Sequence, residues 1–317
     1  MLWHWKKKNF ISCVVYLHNE GERLVSFLEG LTQTMEKYFE RYEMIFVDDA
    51  SDDGSIEILQ KYVSEAEKMK PVSLINMSYY QGIEAAMNAG RDLAVGDFVY
   101  EFDYAYSDYD ENLIYQVYEK VLEGYDVVAA APEKYIPISS KLFYGVYNWG
   151  NKTANKLQQE RFRLVSRRAI NRVGQMNAYI PYRKIMYVNC GLKMATISYE
   201  NQAMGRRNHS DQERGSRSAL AFDSFIIFTN VLEKISMGLC GIFLLVMVIM
   251  AGNVVVSLFS EVKPVEGWMS TFGLMSFGFF GLFLLLTLIL KYLSVILNLI
   301  FKKQRYVISG IDKLNKS

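Results

Sequence analysis

The stretch FVDDASDDGS, residues 46–55, places two adjacent carboxylates directly after an apolar run and follows them with turn-forming residues. Residues 44–47 are all apolar and predict a buried strand, with Asp48 and Asp49 at its carboxyl end. A serine or aspartate of the same stretch then caps the helix that follows. Because ligands of open α/β sheets bind beyond the carboxyl ends of the strands, this stretch predicts a binding site. An alternative is that the acids only cap a helix and solvate a loop.

Apolar runs alternate with helical patterns through the first 131 residues. Strands separated by helices indicate right-handed crossovers and a mostly parallel sheet, so the predicted fold class is α/β. The chain has neither GxGxxG nor a P-loop, which argues against dinucleotide oxidoreductases and NTPases. The predicted strands are residues 10–17, 44–47, 72–76, 98–102 and 126–131, and the predicted helices are residues 21–38, 55–68, 82–94 and 111–122.

Composition excludes several classes of partner. The net charge is +1 and the sequence pI is about 7.6, so we predict no nucleic-acid partner. The three cysteines, Cys13, Cys190 and Cys240, are far apart and form no CxxC motif, which indicates reduced, buried thiols rather than a disulfide or zinc site.

The carboxyl-terminal third predicts two transmembrane helices. Residues 237–259 are apolar apart from Asn253, and residues 268–290 carry no charge, so each is long enough to cross a bilayer. Basic residues follow the second span, which places the head and both termini in the cytoplasm. We therefore predict four parts, namely a cytoplasmic head (1–218), an interfacial amphipathic helix (219–235), a two-helix hairpin (236–291) and a cytoplasmic amphipathic, basic tail (292–317).

Eight motifs occur in a fixed order along nearly the whole chain. With the two-span tail that ends near RYVI (305–308), they resemble the family 2 glycosyltransferases of GT-A fold, particularly the membrane-anchored polyprenyl-phosphate glycosyltransferases related to dolichol-phosphate mannose synthase. The motifs are VVYLHNE (14–20), FVDDASDDGS (46–55), SYYQGIEAAMNAG (78–90), GDFVYEFD (96–103), GYDVV (124–128), RFRLVSRRAI (161–170), GSRS (215–218) and the terminal hairpin.

The resemblance implies a nucleotide-sugar donor bound at the ends of the first, second and fourth strands. Glu20 and Asp49 then contact the nucleotide and Asp48 supports their loop. Asp103 stands at the first position of the family's DxD motif, and Asp108 aligns with a later family acid. Both are therefore predicted as catalytic residues and as ligands of Mg²⁺ or Mn²⁺.

Two positions depart from the family pattern. Ala105 stands where the second Asp of DxD is expected and cannot bind a metal, so an alternative is a solvated acidic loop. Arg161 stands where many relatives have an acid before FRL, a candidate base, and Glu160 is one residue earlier on the opposite face of a strand.

Basic residues stand where the resemblance places an acceptor phosphate or a donor diphosphate. Arg163, Ser216 and Arg217 are predicted to bind these groups, because guanidinium forks suit phosphate oxygens. The alternative is a basic fringe attracted to anionic lipid.

The resemblance implies transfer of a sugar from a UDP- or GDP-sugar to a polyprenyl (undecaprenyl or dolichyl) phosphate on the cytoplasmic leaflet, by displacement with inversion. It also suggests a homo-oligomer, a dimer or tetramer. The alternative is a catalytically degenerate relative that binds nucleotide, lipid or a partner protein without turnover, because Ala105 and Arg161 both replace acids.

Overall fold

A computed structural model describes the positions of most of the head and of a long helix near the carboxyl end. The described residues are 6–21, 23–66, 70–134, 138–150, 155–176, 182–200, 267–301 and 306–315, with single positions at 215, 238, 241, 242, 245, 248 and 249. The chain divides into two compact units, residues 1–221 with 302–317, and residues 222–301.

The first unit is built on an eight-stranded sheet in the order β7-β5-β6-β4-β1-β2-β3-β8. Strand β1 lies between β4 and β2 and is parallel to both, so the carboxyl ends of these three strands share one edge. The strands are β1 (Lys7–Leu17), β2 (Phe39–Asp48), β3 (Val72–Met77), β4 (Phe98–Phe102), β5 (Val127–Pro132), β6 (Phe162–Ser166), β7 (Met194–Tyr199) and β8 (Ile308–Lys313).

Among the described residues of the first unit, seven helices connect and cover these strands. They are α1 (Arg23–Tyr38), α2 (Ser55–Glu65), α3 (Ile83–Leu93), α4 (Asn112–Leu122), α5 (Ile138–Gly150), α6 (Arg167–Gln175) and α7 (Arg183–Asn189). The predicted alternation of strands and helices through β5 is confirmed, because hydrophobic periodicity is a local signal that the sequence carries directly. The boundaries differ by a few residues.

Helix α3 packs close against the centre of the sheet. A Cβ atom placed on Gly90 would lie 2.4 Å from a methyl of Val14 and 2.7 Å from a methyl of Val47. Only glycine therefore allows the helix to approach β1 and β2 this closely, which positions the loop before α3 beside the end of β2.

Three pairs in the sheet are antiparallel, and two of them involve β6, which lies between β4 and β5. Four pairs are parallel, including all those between β1 and its neighbours, so the predicted mostly parallel α/β sheet is confirmed. Cys13 and Cys190 are both buried free thiols, as expected, whereas Cys240 lies outside the described residues.

The third antiparallel pair brings the end of the chain back to the head. Strand β8 pairs with β3, with Ile311 opposite Ile75, and so covers an edge that β3 would otherwise leave unpaired. The sequence interpretation treated residues 292–317 as a basic tail and did not predict this strand. Its partner is more than 230 residues away, and its six residues ISGIDK alternate too weakly to indicate a strand.

The second unit contains helix α8 (Trp268–Phe301), whose described apolar side chains are largely exposed, among them Phe280 and Phe283. Within the described residues, no helix qualifies by length and apolarity as a membrane-crossing segment. The predicted interfacial helix and most of the first predicted span lie outside the described residues.

Candidate functional site

The loops that follow β1 and β2 are joined at the carboxyl-end edge of the sheet. The backbone N–H of Asn19 donates to Ser51 Oγ at 3.1 Å, and the backbone N–H of Glu20 donates to Ser55 Oγ at 3.0 Å. Asn19 also accepts from the backbone N–H of Asp52 at 2.9 Å. The two predicted nucleotide-binding segments therefore form one continuous surface.

Asp49 is a fully buried carboxylate held by neutral donors. Its Oδ1 accepts from the backbone N–H of Gln81 at 2.7 Å, and its Oδ2 accepts from the backbone N–H of Gly82 at 2.8 Å and from the Tyr16 hydroxyl at 3.1 Å. Burial raises the pKa of Asp49 and outweighs the lowering by these hydrogen bonds. The carboxylate is thus fixed in place, and ionising it costs free energy.

Asp48 and Glu20 complete the predicted set. Both Asp48 oxygens accept from the backbone N–H of Ser51, at 3.3 and 3.2 Å, which closes the turn after β2. Ala50 in this turn has φ of 56°, a left-handed conformation that L residues rarely adopt. Glu20 is buried with 4% exposure. The structure places Glu20, Asp48 and Asp49 at the same edge, and their roles toward a nucleotide remain predictions.

His18 lies beside this turn. Its Nδ1 is 2.8 Å from the Asp49 backbone oxygen, and its ring stacks obliquely on Tyr80 with centroids 4.8 Å apart. The sequence interpretation assigned no role to His18, and these contacts make it part of the wall around the turn.

Asp103, at the end of β4, belongs to a group of buried ionic side chains that we call the buried ion cluster. Arg183 donates from Nη2 to Asp103 Oδ1 at 2.8 Å, and Arg163 donates from Nη2 to Asp103 Oδ2 at 2.9 Å. Both arginines also donate to Glu101 Oε2, at 2.8 and 2.7 Å. The cluster comprises Glu84, Glu101, Asp103, Glu160, Arg163 and Arg183.

The remaining guanidinium nitrogens of the cluster are also used. Arg163 Nε donates to Glu160 at 2.8 Å, and Arg183 Nε donates to Glu84 at 2.9 Å. Each guanidinium therefore contacts three carboxylates, an arrangement that the planar fork of arginine allows and lysine does not. Neither arginine exposes more than 1% of its side chain.

The charges of this region balance within the protein. Burial alone would raise the pKa of Asp103, but Arg163 and Arg183 lower it well below its usual value. Glu101 is likewise desolvated, and Arg183 and Arg163 still lower its pKa. Arg91 also lowers the pKa of Glu101, and Lys184 also lowers that of Asp103, so both acids are surrounded by more than one cation.

Asp108 lies outside the buried ion cluster and is bound by Arg161 and Tyr199. Arg161 donates through Nε to Asp108 Oδ1 at 2.9 Å and through Nη2 to Oδ2, and Tyr199 donates its hydroxyl to Oδ1 at 2.8 Å. The Arg161 guanidinium also lies 4.7 Å from the ring centroid of Tyr106, a cation–π distance. Burial lowers the pKa of Arg161, but Asp108 raises it further, so the pair stays charged.

The residues present do not fit the predicted Mg²⁺ or Mn²⁺. These cations need several carboxylate or carbonyl oxygens directed at one point, and the described residues contain no three His, Cys, Asp or Glu side chains placed so that they could hold a metal ion together. Both oxygens of Asp103 already face guanidinium groups, and Asp108 is bound to Arg161. Ala105 is fully buried and supplies no oxygen. The expected metal site is therefore not formed by the described residues.

The predicted phosphate-binding residues have different outcomes. Arg163 is buried and donates only to carboxylates in the hydrogen bonds described above. Ser216 and Arg217 lie outside the described residues.

Sequence reasoning missed Arg183, Glu101 and Glu84. One signal was present, because Glu101 interrupts the otherwise apolar strand FVYEF, and a charge on a fully buried strand requires a partner. That signal indicates a cation but does not identify it.

Comparisons with known proteins agree with the fold. The profile described as "Glycosyl transferase family 2" matches residues 12–180. An uncharacterized glycosyltransferase of Synechocystis sp. is 26% identical over 200 residues, which cover 61% of each chain. The chain thus spans about three fifths of this relative's length.

A longer similarity runs to the undecaprenyl-phosphate 4-deoxy-4-formamido-L-arabinose transferase of Proteus mirabilis, at 25% identity over 99% of this chain and 98% of that one. Among solved structures, the mannosyltransferase PcManGT from Pyrobaculum calidifontis, in complex with GDP-Man and Mn²⁺, superposes with a TM-score of 0.52. It covers 94% of this chain and 88% of its own at 13% identity, so it shows a shared fold and no more.

Proposed function

The chain belongs to glycosyl transferase family 2, and from this premise we propose that it transfers a sugar from a nucleotide-sugar donor to a polyprenyl phosphate. The observation that carries the proposal is the joined edge formed by the loops after β1 and β2. There Asp49, which directly follows β2, is fixed by two backbone N–H groups at 2.7 and 2.8 Å. A rigid acceptor at a sheet edge is suited to the N–H groups of a uracil or guanine base, so the proposed donor is a UDP- or GDP-sugar.

The proposed acceptor rests on similarity along the whole chain. The Proteus mirabilis relative is named for transfer to undecaprenyl phosphate, and the alignment with it covers 99% of this chain. A lipid acceptor is also consistent with the two apolar stretches at residues 237–259 and 268–290. Ser216 and Arg217 are proposed to contact the donor diphosphate.

The return of β8 to the head supports a membrane hairpin. Both the residues up to 200 and strand β8 belong to the head's sheet and its surroundings, so they lie on the same side of any membrane. The residues between them must then cross an even number of times. Two crossings, with the head and both termini in the cytoplasm, are therefore proposed, together with a dimer or tetramer.

The proposed chemistry is a displacement with inversion. An oxygen of the acceptor phosphate attacks the anomeric carbon, and the bond from that carbon to the nucleoside diphosphate breaks, so the diphosphate leaves with the electron pair. The second pKa of a phosphate monoester is about 6, so the attacking oxygen is already anionic near neutral pH. Such an acceptor needs no general base, which is consistent with Arg161 at the position of the expected acid.

Asp103 and Asp108 were predicted as catalytic groups. Their contacts support a positioning role instead, because each carboxylate is bound by arginine within the protein. The residues that touch the donor are proposed to be Glu20 and Asp49, with Asp48 closing the turn between β2 and α2.

The test is transfer of label into lipid. We expect purified full-length protein, incubated with labelled UDP- and GDP-sugars and undecaprenyl phosphate, to move label into the organic phase. The Asp49→Asn variant is expected to lose this transfer, whereas Lys120→Met on helix α4, which alters a surface ion pair with Glu123, is expected to retain it.

A non-catalytic role is the second candidate, and the capture of Asp103 and Asp108 by arginines favours it. It predicts that UDP or GDP raises the melting temperature of the protein while no sugar of the panel reaches lipid. Label in lipid with the wild type, and not with Asp49→Asn, would reject this candidate.

A further inference from the structure

The arginines of the buried ion cluster lie where the family's DxD motif meets a divalent cation. Asp103 occupies the first position of that motif, and both of its oxygens face guanidinium groups, at 2.8 and 2.9 Å. The second position is Ala105, which is fully buried. Ala105 therefore supplies no oxygen ligand, and Asp103 is bound by two positively charged groups.

Electrostatic repulsion argues against a divalent cation in this place. Asp103 is already bound by Arg163 and Arg183 and is also acted on by Lys184, so a divalent cation would add positive charge beside a carboxylate that cations already surround. A doubly charged ion beside Asp103 is repelled by both guanidinium groups, whose nitrogens are already within 3 Å of its oxygens.

The arginines are also difficult to displace. Each donates to three carboxylates, and Arg183 is covered completely by protein. Removing one guanidinium would leave several buried carboxylates unpaired, a change that costs about 3–5 kcal/mol in measured cases. A metal ion therefore cannot bind here by a simple rotation of one arginine side chain.

We infer that Arg163 and Arg183 occupy both oxygens of Asp103 at the end of β4, so that this site binds no divalent cation and donor binding does not require one. This inference rests on the proposed function for the identity of the donor. Its structural part, the absence of a cation site at Asp103, is independent of it.

The experiment measures metal binding and nucleotide binding separately on full-length protein. Mn²⁺ binding is followed by the electron paramagnetic resonance signal of free Mn²⁺, which decreases when the ion binds. UDP and GDP binding is measured by titration calorimetry in EDTA and again in Mn²⁺. We expect the Mn²⁺ signal to stay unchanged when the protein is added, and each nucleotide dissociation constant to agree within about twofold between the two conditions.

The outcomes separate the two proposals. Nucleotide that binds only with Mn²⁺, or about tenfold more tightly with it, would overturn the inference and leave the proposed function standing. If neither UDP nor GDP binds in either condition, the result counts against the proposed function. The Mn²⁺ signal alone then decides the inference, because binding of Mn²⁺ would overturn it and the absence of binding would support it.

A variant adds a second readout. Arg183→Gln removes one of the two guanidinium charges beside Asp103 and keeps a neutral amide donor, and we expect Mn²⁺ binding to appear or to become at least about tenfold tighter. Lys120→Gln, on a surface ion pair with Glu123 away from the cluster, serves as the control and is expected to leave Mn²⁺ binding unchanged. If Arg183→Gln does not fold, the wild-type measurements still decide.

Discussion

Asp49 and Asp103 follow two strands that flank β1, and their surroundings shift their pKa values in opposite directions. Asp49 accepts from two backbone N–H groups and a hydroxyl, and burial raises its pKa. Asp103 is also desolvated, but two guanidinium groups bind it and lower its pKa. Equivalent positions at one sheet edge thus give a carboxylate held by neutral donors and a carboxylate neutralised by the protein itself. The difference indicates that Asp49 is the more suitable of the two for contact with a ligand.

The largest effect is expected from removing an arginine of the cluster. Arg183→Met leaves Glu84, Glu101 and Asp103 without one of their donors in a buried region. We expect the free energy of unfolding, measured by urea denaturation at pH 7, to fall by about 3–5 kcal/mol. Lys120→Met is the control, because its surface pair with Glu123 contributes little, and we expect no resolvable change there. Equal stability of the two variants would contradict the view that the cluster depends on Arg183.

A smaller loss is expected on the Asp49 side of the comparison. Asp49→Asn replaces one acceptor oxygen by a donor NH₂ group that faces a backbone N–H or the Tyr16 hydroxyl. We expect a loss of about 1–3 kcal/mol in unfolding free energy.

The same substitution tests Asp49 as a ligand contact. We expect Asp49→Asn to weaken UDP or GDP binding at least about tenfold in titration calorimetry. Nucleotide affinity equal to that of the wild type would remove Asp49 from the proposed donor site.

The pH dependence of stability is expected to differ in sign between the two carboxylates. The lowered pKa of Asp103 means that its ionised form contributes stability above the unfolded pKa of about 3.9, which is lost as the pH falls through the folded value. The raised pKa of Asp49 has the opposite sign, because its protonated form is favoured in the folded protein and stability is lost as the pH rises through its folded value.

Urea unfolding between pH 7 and pH 3 measures how the stability contributed by each carboxylate depends on pH. The destabilisation caused by Asp103→Asn is expected to shrink as the pH falls, and that caused by Asp49→Asn is expected to grow. Arg163 and Arg183, which bind Asp103, have raised pKa values and stay protonated throughout this range. If the loss in unfolding free energy changes with pH in the same direction for both variants, the surroundings of Asp49 and Asp103 do not differ as described.

The sequence predicts the Asp49 side of this comparison better than the Asp103 side. Asp48 and Asp49 follow an apolar run, and β2 does end at Asp48, because strand patterns and chain turns are local properties. The partners of Asp103 are not local, since Arg183 is 80 residues away and lies on a short helix with no distinguishing motif. The resemblance also favours a metal prediction at Asp103, whose two oxygens instead accept from Arg163 and Arg183.

Strand β8 was unpredictable for a related reason. Its side chains are mostly exposed, so they carry no strong alternation, and its pairing with β3 depends on where residues 201–305 return the chain. Long-range pairing of this kind is set by tertiary structure, which local propensity does not determine.

The smallest effect is expected where β8 approaches the loop that holds Asp49. The Gln81 side chain donates from Nε2 to Val307 O at 2.6 Å and accepts at Oε1 from Val307 N–H at 2.9 Å, while the backbone N–H of Gln81 donates to Asp49. Gln81→Ala removes both side-chain bonds and leaves the bond to Asp49. We expect a loss of about 0.5–1.5 kcal/mol in stability and faster hydrogen exchange at the Val307 amide.

Ser309→Ala provides the matched control, because Ser309 bonds the Asn76 carbonyl on the same strand pair at 3.0 Å without touching the loop. If β8 supports Asp49 through Gln81, Gln81→Ala weakens nucleotide binding and Ser309→Ala does not. Equal effects of the two substitutions would mean that β8 acts only as an edge strand. Since residues 302–317 follow the apolar stretches directly, a specific effect of Gln81→Ala would connect the segment that leaves the proposed membrane hairpin to the carboxylate proposed to bind the donor.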